Sequence, residues 1–167
     1  AGYEAKTSPY ETHHVFNDWV YDNEDRFRSI LGEGERLCGE WLHTAHGTIY
    51  DLPHEPFVAF DLINAKNKRI TYSEFYDRVG GKFTLPYLVN IGGPLSVDDA
   101  LNLLGELGHH GAKEQIEGAV WRVERNGVVD YLCKYVRPDK IDGKYLNGDK
   151  PILNTWKGWQ IKREDSG

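Results

Sequence analysis

The sequence predicts an α+β fold in which antiparallel sheets are flanked by helices, and three observations carry that expectation. Apolar residues recur at spacings of three and four over residues 10–31 and again after Ser96, the period of amphipathic helices. The run Phe57 to Ile63 (FVAFDLI) reads as a strand buried on both faces except at Asp61. Asn126-Gly127 separates two further apolar runs, a strong hairpin signal that joins antiparallel strands. Strands and helices in this mixed order favour α+β over a parallel α/β sheet.

Taken in order, the first helix is built on Phe16, Trp19, Val20, Phe27, Ile30 and Leu31, with Gly32 following its end. Arg36 to His43 is a short apolar strand with Gly39 in its middle. After FVAFDLI, Asn64 to Lys68 is turn material, and Arg69 to Thr71 is the expected partner strand. Thr71-Tyr72-Ser73-Glu74 fits a capping box that opens a helix ending near Gly80-Gly81. Ser96 starts the next helix, with Asp98 and Asp99 placed to complement its dipole. Its stripe of Val97, Ala100, Leu101, Leu104 and Leu107 predicts an end at Gly108. Glu117–Arg125 and Val128–Val136 are the two strands of the hairpin.

The 167 residues suit one domain spanning 1–167, long enough to bury a core without covalent staples. Two cysteines, Cys38 and Cys133, make neither a disulfide framework nor a CxxC zinc pair, and both are expected as buried thiols within strands. No apolar run approaches a membrane span, and Ala1-Gly2-Tyr3-Glu4-Ala5-Lys6 lacks the apolar core of a signal peptide. These features predict a soluble, cytoplasmic protein. The net charge is -6, but it is uneven. Residues 134–163 carry eight basic side chains against three acids, while residues 1–133 carry 12 against 21. A basic segment on an acidic body can contact phosphates, or can be an ordinary solvated face.

Four short pieces place polar groups at strand centres or ends. They are Gly39-Glu40-Trp41, then Phe57-x-x-Phe60-Asp61-Leu62, then Glu117-Gly118-x-Val120, then Lys134 on the strand across the hairpin. In this order they resemble motifs III, IIIa, IV and V of the covalent nucleotidyltransferase family of RNA ligases. Gly2 to Pro9, with the helix after it, is similar to the region that follows the family's nucleophile strand. The resemblance implies a ligase-type nucleotidyltransferase domain, N-terminally incomplete. It implies ATP and Mg²⁺ as cofactors and RNA ends as partners. The family enzyme adenylates itself, transfers AMP to a 5′-phosphate and seals it to a 3′-hydroxyl, chemistry used in RNA repair.

Carried over by position, the resemblance makes Glu40 the acceptor for ribose hydroxyls and Phe60 the platform for adenine, with Phe57 as the fallback. Glu117 becomes the Mg²⁺ ligand, and Lys134 contacts the α-phosphate. The Asn126-Gly127 turn supports the pair by placing Glu117 and Lys134 on adjacent strands. The family supplies a second lysine two positions from the first; here Leu132 and Val136 flank Lys134, and Arg137 is the substitute.

The K-x-D-G nucleophile motif of the family has no match upstream, where Lys6 is the only lysine before Lys66. The resemblance therefore implies a chain that starts after its catalytic strand. One K-x-D-G does occur, at Lys140-Ile141-Asp142-Gly143, after the hairpin. It reads as a loop with Pro138 and Gly143, and Lys140 becomes a nucleophile only in a circularly permuted arrangement. A second function class is a non-catalytic nucleotide- or RNA-binding module that kept the fold.

The seven histidines are read as structural or solvated, because His43 and His46, or the adjacent pairs His13-His14 and His109-His110, need not share a face. His46 and Tyr50 resemble the family's connection after G-E-W and are read as packing. Trp156 and Trp159, interleaved with Lys157 and Lys162, either stack on single-stranded bases or cap the edge of the core.

Overall fold

A computed structural model describes residues 9 and 11–156. Lys6, Lys157, Trp159, Lys162 and Arg163 lie outside the described residues. The N-terminal helical pattern resolves into two helices, α1 (Glu11–Asp22) and α2 (Glu24–Arg28). The break falls at Asn23, whose side-chain amide donates to the Trp19 carbonyl at 2.8 Å. A short polar side chain bonding to its own backbone in this way competes with helix propagation.

These helices and the turn after them lay Phe16, Trp19, Phe27 and Ile30 on the sheet formed by β1 (Arg36–Trp41) and β3 (Phe57–Ile63), which pair antiparallel. The buried centre is aromatic. Phe57, 4% exposed, lies 5.3 Å from Trp19 and 6.0 Å from Phe27 between ring centroids, and meets Phe83 edge-on at 5.9 Å. Such tilted and edge-on pairings suit the ring quadrupoles. Gly39 is required here, because a Cβ would stand 2.4 Å from the Phe57 ring and 2.7 Å from the Val58 carbonyl.

The register of this sheet contains a β-bulge. Cys38 pairs with Asp61 and Gly39 with Ala59, so Phe60 has no partner across the ladder. The extra residue lets Phe57, Ala59 and Leu62 all join the core. It also reverses the expected exposure within FVAFDLI: Phe60 is 48% exposed and Asp61 only 2%. The burial of Asp61 is compensated by two cations. Arg69 Nε lies 2.6 Å from one carboxylate oxygen and Arg122 Nη2 lies 3.2 Å from the other. Arg122 belongs to the hairpin, so this ion pair ties the hairpin to the sheet.

Arg69 to Thr71 forms no strand, only an isolated bridge from Arg69 to Ile63. Thr71 caps α3 (Tyr72–Val79), its hydroxyl accepting from the Glu74 amide at 3.3 Å, and Phe75 and Val79 turn into the core. Ser96 caps α4 (Val97–Leu104) in the same way. This helix stops at Gly105, which takes φ of 74°, rather than at Gly108. Leu107 therefore lies beyond the helix, and only Ala100 of the predicted stripe is buried.

The hairpin of β4 (Gly118–Arg125) and β5 (Val128–Val136) turns through Asn126 and Gly127 at φ of 55° and 73°. Two successive positive φ values match the right-handed strand twist, which is why Asn-Gly serves there. Neither cysteine is a buried thiol: Cys133 is exposed on the two-stranded hairpin, and Cys38 is half-buried on β1, opposite Asp61 at the β-bulge. After it the chain returns along residues 43–52. Ala45 donates to the Ile152 carbonyl, Asn154 to His43, and Thr155 to Tyr50. β2 (Asp51–Leu52) and β6 (Thr155–Trp156) then pair in parallel. Among the described residues, no helix is long and apolar enough to cross a membrane.

Candidate functional site

Three chain segments meet at the open end of the hairpin. Glu40 stands near the end of β1, opposite Val58 of β3. The connection after β1 supplies His46, Gly47, Thr48 and Tyr50. Glu117 directly precedes β4, where its carbonyl accepts from the Arg137 amide at 2.8 Å and extends the ladder by one rung. The loop after β5 brings back Lys140 and Asp142, pinned by the Tyr145 amide donating to the His46 carbonyl at 2.8 Å.

The Lys140 ammonium sits between two carboxylates, 2.8 Å from Glu117 Oε2 and 2.9 Å from Asp142 Oδ1. The other oxygen of Glu117 lies 3.5 Å from the buried Thr48 hydroxyl. Gly47 leaves room for this arrangement. A Cβ there would stand 3.0 Å from Glu117 Oε1 and 3.6 Å from the Lys140 side chain. The KIDG turn folds Asp142 back onto Lys140, with Gly143 at φ of 64°.

Electrostatics follow from this crowding. Hydrogen bonds from Lys140 to Glu117 and Asp142 raise its pKa, so the amine is held protonated. That is opposite to the depression a nucleophilic lysine requires. Asp142 is shifted down, chiefly by its hydrogen bond and charge interaction with Lys140, and also by the charge of Lys134. The Glu40 carboxyl is shifted up, first by desolvation and then by the negative charge of Glu117, while His46 and Lys140 oppose the shift. The Glu40 side chain is nonetheless exposed, so a ligand can reach this carboxyl. Burial, followed by Glu117 and Glu40, pushes the Tyr50 hydroxyl up to about 12. Tyr50 is therefore a neutral hydroxyl at physiological pH.

The remaining sequence-predicted residues are placed as follows. Phe60 presents a half-exposed ring from the bulge, whereas Phe57, its fallback, is committed to the core. Lys134 is on the strand adjacent to Glu117, but it pairs with Val120, three rungs inward. Its side chain is exposed, and its charge reaches Asp142. Arg137 is engaged with its own surroundings, at 2.8 Å from Asp139 and 3.4 Å from the Gln115 carbonyl. The structure thus brings together Glu40, Glu117 and Lys140, and sets Lys134 at the edge of that group. Sequence reasoning left Tyr50 as packing, met Asp142 only as part of the K-x-D-G match, and did not weigh Gly47 or Thr48. The signal available for them was their position directly after G-E-W and within K-x-D-G.

His54 and His110 form a separate structural junction. His54 Nε2 and His110 Nδ1 are 2.7 Å apart, His54 Nδ1 is 2.7 Å from the Glu55 carbonyl, and the Tyr87 amide donates to His110 Nε2 at 3.3 Å. Only one tautomer chain satisfies all three contacts, with both rings neutral and each Nδ1 carrying the proton.

A family model described as RNA ligase matches residues 2–136 of the chain. No curated protein and no solved structure matches it.

Proposed function

Because the chain belongs to the RNA ligase family, we propose that the carboxylate–lysine group is the nucleotide site of a ligase-type nucleotidyltransferase fold. It serves AMP transfer in joining a 5′-phosphate to a 3′-hydroxyl RNA end. One observation carries this reading: Glu117 pairs with Lys140, and Glu40, distant in sequence but also within the matched span, lies near enough to be shifted by the charges of both. Glu40 accepts from the ribose hydroxyls. Phe60 offers the adenine a ring free on one side, and Lys134, Arg137 and Lys140 supply positive charge toward the phosphates.

The donor set suits Mg²⁺. This ion takes oxygen ligands, uses one or two carboxylates and fills the rest of its shell with water and phosphate oxygens. Glu117 presents such a carboxylate, its side chain 37% exposed, with Glu40 close enough to feel its charge. Bound there, Mg²⁺ supplies neutralisation of the phosphate charge that shifts during transfer. The chain's own residues bind and orient the nucleotide and hold it beside the lysines.

The test is calorimetric titration with ATP in the presence and absence of Mg²⁺. Mg²⁺-dependent binding by the parent, lost in Glu117→Ala, is the expected result. Equal affinity in parent and variant removes Glu117 from the site. A second reading, a nucleotide- or RNA-binding module without group transfer, is favoured by the protonated state of Lys140. Incubation with α-labelled ATP, denaturation and intact-mass measurement separates the two. A mass gain of one AMP that disappears in Lys140→Ala would make Lys140 the nucleophile and overturn the binding-module reading.

A further inference from the structure

We propose that Asp142 is a built-in stand-in for a phosphate group, occupying the solvent side of Lys140 until a phosphate-bearing ligand displaces it. The inference rests on the nucleotide-site reading above and assigns a residue and a competition that the reading does not contain.

The geometry is asymmetric in a way that ordinary ion pairing does not require. Lys140 is held on one side by Glu117 and on the other by Asp142, at nearly equal distances of 2.8 and 2.9 Å. The side chain of Lys140 is only 20% exposed and that of Glu117 37%, but that of Asp142 is 91% exposed. An anion arriving from solvent therefore reaches the ammonium by taking the place of Asp142, not of Glu117. Asp142 is the easier partner to displace. Its carboxylate gives up little packing when it swings into water, and exposed ion pairs contribute weakly. Glu117 is anchored by the β4 ladder and walled in by Gly47 and Thr48.

The site also matches the ligand class. A carboxylate that receives a hydrogen bond from one lysine and the charge of a second lies where a tetrahedral oxyanion would meet both. Lys140 and Lys134 are those two cations. The KIDG turn can open without disturbing the hairpin, because the loop is fixed by the Tyr145–His46 backbone bond beyond it and the Arg137–Glu117 bond before it. On this inference Lys140 and Lys134 form the phosphate-facing pair. Asp142 sets the affinity by competition and screens the lysine from other anions.

The prediction is opposite in sign for two neighbouring residues. Asp142→Asn removes the competing charge and should raise affinity for ATP about fivefold, whereas Lys140→Ala should lower it about tenfold or more. Calorimetric titrations of the full chain with ATP, and separately with inorganic pyrophosphate without Mg²⁺, read both effects. Asp142 is fully hydrated at the surface, so the Asn variant tests the idea even if Lys140→Ala folds poorly. If the parent binds ATP and Asp142→Asn leaves affinity unchanged or lowers it, the stand-in is overturned while the nucleotide site survives. If ATP binds nowhere but pyrophosphate binds more tightly to Asp142→Asn, the phosphate pair stands and the nucleotide reading fails. Absence of both ligands from the parent and from Asp142→Asn overturns both.

Discussion

Two halves of this molecule use opposite physics. In one, α1, α2 and α3 press an aromatic cluster onto the β1–β3 sheet, and Phe57, Leu62, Phe75 and Val79 are almost wholly removed from water. In the other, the β4–β5 hairpin and the loop after it bury little and gather charge: Glu117, Lys140, Asp142 and, across from them, Glu40. The first half supplies stability, because apolar burial is the dominant favourable term in folding. The second supplies chemistry, because a carboxylate or ammonium remains useful only while a ligand can reach it. The Asp61–Arg122 ion pair joins them, with the Asp61 carboxylate deeply buried where the polar half meets the apolar one.

The comparison is broken most severely from the aromatic side. Phe57→Ala should cost about 3–5 kcal/mol in denaturant unfolding, the usual range for removing a buried aromatic ring. A loss below about 1 kcal/mol would mean that the cluster is not the stabilising centre. Next comes the joint. Asp61→Ala leaves the guanidinium of Arg122, whose side chain is 14% exposed, without its buried partner and should cost roughly 3 kcal/mol. Backbone amide exchange should rise in β4 and β5 more than in β3; uniform acceleration would show that the ion pair does not connect separate halves.

Substitutions in the polar half should reverse the balance between stability and binding. Glu117→Ala should change unfolding free energy by less than about 0.5 kcal/mol while abolishing Mg²⁺-dependent ATP binding. Phe60→Ala is intermediate. Its ring is half-exposed on the bulge, so stability should fall by under about 1 kcal/mol while nucleotide affinity falls by about 1–3 kcal/mol. A stability loss with intact affinity would return Phe60 to the apolar half.

The smallest effect concerns pH. Burial, followed by the neighbouring His54 and His109, lowers the pKa of His110. Other groups facing this junction are Glu55, ion-paired with Arg26, and Asp51, paired with Lys113 beside the turn at Gly111. The unfolded chain binds the His110 proton more readily than the folded one. Stability from this group is therefore complete above its ordinary value of 6.5 and is lost as pH falls toward the lowered value. Thermal unfolding followed from pH 7 to pH 5, a range spanning ordinary histidine titration, should show this slope in the parent and a shallower one in His110→Gln. Equal slopes would assign the acid sensitivity to other groups.

Several features follow from local sequence alone. Asn126-Gly127 makes the hairpin turn, Thr71 and Ser96 cap their helices, and the aromatic periodicity of residues 10–31 marks the face that packs. Each depends on neighbours within a few positions, so the chemistry of the residue type is sufficient. The order G-E-W, F-x-x-F-D-L, E-G-x-V likewise marks the RNA ligase family without any coordinates. Tertiary structure decided what depends on register and on distant partners. A single extra residue in β3 exposed Phe60 and buried Asp61, although strict alternation gives no sign of it. The burial of Asp61 is tolerable only because Arg69 and Arg122 arrive from eight and 61 residues away. Lys140 shows the same dependence: three specified residues of K-x-D-G suggest a nucleophile, but the fold sets that amine between Glu117 and Asp142 and keeps its proton on. Charge state is a property of surroundings, and surroundings are assembled only when the chain closes on itself.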